Sequence, residues 1–283
     1  MFVIIGLLTV AGSVVTGFVL EGGNASILVQ PVEVLILFGI GGGAFLIANP
    51  PSVISGTLKA VPTILTHKSK TKADFLEILI LMYQLFQKMK KEGLLSIEAD
   101  VEDPYKSDFF KNFGKLLAEH HLINFLCDNL KVIISTTLAT YELEDLMEKD
   151  IETHHHEAME ISHAVNRMGD AMPGLGIVAA VLGVVLTMGK IDKPPEIIGH
   201  SVAVALLGTF LGILMCYGYL GPISTNLEYR AKEDIIYLKV IKVGVVAFVG
   251  GAAPMMAAEF ARRIIPSDAK PTFAELEEAL KGQ

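Results

Sequence analysis

The residues whose types and spacing come closest to chemistry are a run of histidines and acids. His154, His155 and His156 precede Glu157, Glu160 and His163, and His156, Glu160 and His163 fall on one helical face. Imidazole and carboxylate ligands suit zinc and related cations, but three consecutive histidines diverge on a helix and cannot all reach one ion. No surrounding groups are spaced to orient the rings. A solvated acidic helix accounts for the cluster, and no metal is expected. There is no HExxH, no workable Ser/His/Asp spacing and no phosphate-cradling glycine motif, so neither an enzyme nor a cofactor is expected.

The remaining candidates are polar groups in apolar surroundings, and they depend on the elements that carry them. Four apolar runs occur in two pairs, 2–20 with 32–50 and 173–189 with 201–220. At about 1.5 Å rise per residue each is long enough to cross a hydrocarbon core of ~30 Å, the second and third narrowly. Backbone groups in lipid must be satisfied internally, so these runs are helices. The fold class is therefore all-α, with four transmembrane helices in two pairs and a large helical domain between spans two and three. Four segments follow: spans one and two (1–50), a helical domain (51–172), spans three and four (173–220) and a helical tail (221–283). Polar side chains within the spans include Thr187, Thr209, Tyr217 and Tyr219, with Glu33 and His200 near the outer edges. Ion transport normally requires an ionisable or coordinating group inside the membrane. If this chain conducts an ion, a partner supplies the carboxylate.

Of the 23 Lys and Arg residues, 13 lie in 51–172 and 8 in 221–283, leaving Lys190 and Lys193 between the last two spans. The positive-inside rule makes 51–172, the tail and both termini cytoplasmic, and 21–31 and 190–200 short outer loops. A cleavable signal peptide at 1–20 is disfavoured, because no charged region precedes Phe2 and no small-residue cleavage site follows. A fifth span at 243–258 is also disfavoured, being short with Gly250, Gly251 and Pro254 in it; it reads as a helix packed in the cytoplasmic part. Net charge of −8 gives no basic footprint for nucleic acid. Cys127 and Cys216 fall in different compartments and read as buried thiols, not a disulfide.

Residues 73–91 place Phe75, Leu79, Met82, Leu85, Phe86 and Met89 at helical spacing and end in basic residues before Gly93. Further helices are expected over 108–120 and 121–140, and a long charged helix over 141–170 leads toward the third span. In the membrane the third span opens with Pro173, in a first turn where a missing donor costs little, and carries Gly174, Gly176, Ala179, Ala180 and Gly183. The fourth carries Gly208 and Gly212 in GTFLG and closes with Gly221-Pro222, where the proline ends or bends the helix. Small residues at this spacing let helices pack closely, in one subunit or between neighbours.

The runs PGLGIVAAVLGVV (173–185) and LGTFLGILMCYGYLGP (207–222), with GTLKA (56–60), AAEFARR (257–263) and PTFAELEEAL (271–280), resemble the MotA family of flagellar stator ion-channel subunits. The resemblance covers essentially the whole chain. It implies a bacterial inner-membrane assembly of five subunits around two helices of a MotB-type single-span partner, whose aspartate accepts the ion. Ion flow would turn the ring and, through the switch protein FliG, the rotor. Pro173 and Pro222 fall on the family's functional prolines, Lys90 on a rotor-contacting basic position that is often Arg, and Glu98 on its acidic counterpart. Lys90 keeps the charge but lacks the planar fork of Arg. Gly176 and Ala180 would line the partner helices, with Thr209 and Tyr217 along the ion path. Sodium-driven relatives tend to have Thr where this chain has Ala180, so protons are favoured over sodium. The alternative is an ExbB/TolQ-type proton-driven subunit energising outer-membrane transport, whose relatives have three spans. A secondary transporter would need a broken helix or a midplane charge, which this sequence does not display.

Overall fold

The computed structural model describes residues 2–66 and 69–281. Among them every regular element is helical. In chain order the α-helices are α1 (Phe2–Leu20), α2 (Pro31–Ala48), α3 (Pro51–Thr63), α4 (Lys72–Glu92), α5 (Glu98–Glu102), α6 (Asp108–Lys111), α7 (Gly114–Leu117), α8 (His120–Ser135), α9 (Thr140–Met188), α10 (Pro195–Leu214), α11 (Gly221–Val249), α12 (Pro254–Arg263) and α13 (Phe273–Lys281). Four helices are long and apolar enough to cross a membrane, at the four expected runs. The chain divides into two compact units, 1–67 with 157–229 and 68–156 with 230–283.

The second unit is built around α4. Its expected apolar face is buried, and Ile78, Leu79, Leu81, Met82, Leu85 and Phe86 are fully enclosed. The Asp74 carboxylate accepts the Thr71 N–H at 2.8 Å and fixes the start of α4. At the other end Gly93 has φ +90 and donates its N–H to Met89 O at 3.0 Å, a conformation open to glycine but strained for other residues. Phe86 stacks on Phe248 with centroids 4.5 Å apart, and Phe75 meets Tyr237 at 4.6 Å. Residues 230–283 thus supply about a third of this core's buried side chains.

Two sequence motifs find their reason here. In AAEFARR, Ala257, Ala258 and Ala261 are fully buried and let α12 lie close. Glu259 receives Arg262 Nε at 2.6 Å and Nη2 at 2.7 Å, while Arg262 Nη1 donates to Pro271 O at 2.8 Å. In PTFAELEEAL, Thr272 and Glu275 cap α13 reciprocally, through Thr272 N to Glu275 Oε2 at 2.6 Å and Glu275 N to Thr272 Oγ1 at 3.2 Å. The segment 243–258 is no fifth span: α11 stops at Val249, Gly251 turns the chain at φ +94, and Pro254 begins α12.

The helix expected over 108–120 is two single turns, α6 and α7. Phe113 leaves helical geometry at φ −114 and ψ 53, and the break lets Phe110, Phe113 and Leu116 all reach the core. The next helix stops at Ser135, short of the expected 140, and Thr136 is extended. Pro173 is not in a first turn. It lies inside the 49-residue α9, which runs through the 141–170 segment and the third span without interruption.

The Glu259–Arg262 pair gives a stability prediction. Arg262 beside Glu259 holds that carboxyl below the ordinary range, so the pair's contribution is present above an unfolded-chain pKa of about 4.3 and lost as pH falls through the lower folded value. Glu259→Ala, which strands a buried guanidinium, should cost about 3 kcal/mol in thermal unfolding of the purified protein at neutral pH. Glu259→Gln should remove this acid-dependent component.

Candidate ion path along the third and fourth spans

In the first unit α10 and the membrane part of α9 approach backbone to backbone. A methyl group at Gly176 would stand 2.6 Å from Gly208 O and 3.0 Å from Thr209 Cα. One at Gly212 would collide with Met172 O and lie 3.0 Å from Gly176 Cα, and one at Gly183 would lie 2.6 Å from Ala205 Cβ. Association in lipid gains nothing from expelling water, so close van der Waals contact through small residues takes that role. Gly176 is therefore buried in a seam within this chain, which accounts for its small size without a partner. Thr209 joins the same seam, with its hydroxyl donating to Gly176 O at 3.4 Å, at the long limit for a hydrogen bond.

Ala180 sits beside this contact, half-buried, its N 3.2 Å from a methyl position at Gly208. Tyr217 is 74% exposed. With Pro222, Asn166 and Asp170 it lines an open groove at the Pro173 and Pro222 end of the pair.

Pro222 does not end the fourth helix. Met215–Leu220 form a π-helical turn in which Gly221 N–H reaches Cys216 O, and α11 then continues to Val249. Proline has no N–H and its ring crowds the carbonyl four residues earlier, here that of Gly218. The wider π turn accommodates that conflict, and such turns occur frequently at functional sites. Pro173 likewise leaves the Gly169 carbonyl without its helical donor. A methyl at Gly169 would stand 3.1 Å from Leu220 Cβ and 3.7 Å from Gly221 N, so both proline defects flank one contact.

Below that contact α9 and α11 are clasped by Ser162 Oγ to Ser224 O at 2.8 Å and Ser224 Oγ to Ser162 O at 3.0 Å, both serines buried. Arg167 Nη2 donates to Asn49 Oδ1 at 3.2 Å at the end of α2. Sequence reading missed these polar ties, since isolated Ser and Asn carry no spacing signal.

Glu33 is a larger miss. It lies in the first turn of α2, at the outer edge by residue count, yet its carboxyl fits the notch at Gly208, near the middle of the fourth span. Its Oε2 is buried without a hydrogen-bond partner.

Lys90, in the last turn of α4, and Glu98, opening α5, are both exposed on either side of the Gly93 turn. Neither forms an ion pair among the described residues, whereas nearby Lys88 and Asp100 pair at 2.7 Å. The histidine cluster is dispersed: His154 pairs with Asp150 at 3.6 Å and meets the His121 ring. No group of three His, Cys, Asp or Glu among the described residues is arranged to hold a metal ion.

This is a four-span helical membrane protein whose last two spans form a glycine-packed pair bearing proline and π-helical defects at one end. Residues 4–93 match the family described as motility protein A N-terminal, and residues 118–239 match the MotA/TolQ/ExbB proton channel family. Motility protein A of Salmonella typhimurium is 38% identical over 281 residues, covering 99% of this chain and 95% of that one. Chemotaxis protein LafT of Vibrio parahaemolyticus is 33% identical, covering 99% and 98%. The chain belongs to the motility protein A family. Its fold is that of the C. jejuni MotAB structure, at TM-score 0.76 and 18% identity over 94% of this chain and 95% of that one. The Bacillus subtilis flagellar MotAB stator complex gives 0.74 at 23% identity, over 93% and 95%.

A substitution pair on α10 tests the seam. Gly212→Ala, whose new methyl meets only backbone, should destabilise the purified subunit by about 1–3 kcal/mol in thermal unfolding. Gly199→Ala, with nothing within 4 Å, should leave the unfolding temperature unchanged or raise it slightly.

Proposed function

We propose that this chain is a stator subunit of the bacterial flagellar motor, forming with a MotB-type single-span partner a proton channel whose flux generates torque. The observation that carries the reading is the glycine-seamed pair of spans within a chain that matches motility protein A over nearly its whole length. The match of 4–93 to the motility protein A N-terminal family and the presence of four spans favour it over an ExbB/TolQ-type transport energiser.

In this reading the chain is no enzyme and needs no cofactor. It sits in the inner membrane with 51–172, 221–283 and both termini cytoplasmic, as its distribution of positive charge favours. Five copies surround two partner helices, and the partner's aspartate accepts the ion. Protonation removes a charge whose burial costs several kcal/mol, so the partner helix can pass an apolar stretch of the ring and advance to the next subunit. The seam keeps spans three and four moving as one body, while Pro173, Pro222 and the π turn supply a deformable inner end. Ala180 offers no side-chain oxygen and Thr209 directs its hydroxyl at Gly176 O, which supports protons over dehydrated sodium. Lys90 and Glu98, exposed and unpaired, meet FliG. Exposed pairs of about 0–1 kcal/mol suit a contact that must form and release repeatedly.

Cells lacking their own stator subunit and supplied with this chain and its partner should swim without sodium and stop when the proton gradient collapses. Motility that follows sodium would overturn the proton assignment, and failure of any ion to drive swimming would overturn the stator reading. Lys90→Glu should lower swimming speed while partner co-purification and proton conductance stay at wild-type levels.

A further inference from the structure

Glu33 is a buried acid to which the proposed ion path assigns no role. It is 5% exposed, and its Oε2 has no hydrogen-bond partner. A methyl placed on Gly208 would stand 3.0 Å from that oxygen, 2.9 Å from Ala179 Cβ and 3.2 Å from Ala180 N. The carboxyl thus occupies space left by the absence of a side chain at Gly208, one residue from Thr209 and beside Ala180.

Among the described residues no ion pair reaches Glu33. The titratable groups on α10 are Glu196 and His200, two or more turns toward the outer end. The span portion of α9 has none, its nearest being Asp170 and Lys190 beyond its two ends, and α1 has none. Glu21 lies on the outer loop. An unpaired carboxylate in such surroundings is strongly disfavoured against its neutral acid.

We infer that Glu33 is this chain's own proton-exchanging group beside the ion path, held as a neutral acid in the Gly208 notch at the level of Thr209 and Ala180. The inference rests on the proton-channel reading above. In each exchange the O–H bond at Glu33 breaks as a water molecule in the path accepts the proton. A proton drawn from the outer aqueous phase restores the acid, so the residue ends unchanged and one proton has moved inward. The partner's acid and Glu33 then share one low-dielectric region, where the ionised form of either disfavours ionisation of the other.

The test uses the full chain co-expressed with its partner. Infrared spectra of the complex in vesicles should contain a protonated-carboxyl C=O band that disappears in Glu33→Gln, and absence of that band from the wild type would overturn the inference. Glu33→Gln keeps the shape without an exchangeable acid; it should co-purify with the partner yet lose proton conductance and swimming. Wild-type conductance in Glu33→Gln would show that Glu33 only packs. Should Glu33→Gln not reach the membrane, Glu33→Asp decides: conductance with a displaced pH profile supports the inference, and an unchanged profile overturns it. If the wild-type complex neither conducts nor restores swimming, the stator reading fails, while the infrared band still reports independently whether Glu33 is protonated.

Discussion

The approach of two helix backbones in the membrane is the constraint on which the rest of the channel half depends. Gly176, Gly208 and Gly212 face one another without side chains, and the spacing they permit is closer than any Cβ would allow. The same closeness turns Thr209 toward a carbonyl of the opposite helix and opens the notch that receives Glu33. A methyl at Gly176 or Gly212 would shift several groups at once, because its contacts there are with backbone and cannot swing aside.

At one end of the seam both long helices carry a defect at a proline, and neither helix stops there. The fourth span absorbs the missing donor of Pro222 by widening into a π turn, while α9 passes through Pro173 as a continuous helix. Beyond the defects the reciprocal Ser162–Ser224 hydrogen bonds fasten α9 to α11. The two defects thus lie between two tightly packed stretches, the glycine seam and the serine clasp.

What could be read from sequence divides along physical lines. The four spans and the buried face of α4 were legible because each is a periodic or length-dependent signal repeated over many residues, and Gly93 marked its helix end as only a positive-φ residue would. The break between α6 and α7 was not, because it is imposed by the core's demand for Phe110, Phe113 and Leu116 together, a tertiary requirement that local propensity does not encode. Glu33 misled for a geometric reason: residue count gives position along its own helix but not the height at which that helix stands against its neighbours. Pro173 misled because proline at a helix start and proline within a helix look alike until the preceding helix is known to continue. The family resemblance singled out Pro173, Gly176, Ala180, Thr209, Tyr217 and Pro222. The structure gathers Gly176, Ala180 and Thr209 at the seam and leaves Tyr217 and Pro222 in the groove at one end of it.

The two cysteines have a practical consequence. Both are free and buried, and burial pushes the Cys127 thiol up to about 12, far from the thiolate form that reacts with alkylating reagents. Cys127 is therefore a nearly silent background for thiol labelling, whereas Cys216 lines the groove beside Tyr217. A single cysteine placed at an exposed position such as Lys90 would report on its own surroundings once Cys216 alone has been replaced, so probes of distance or accessibility can be introduced with Cys127 left in place.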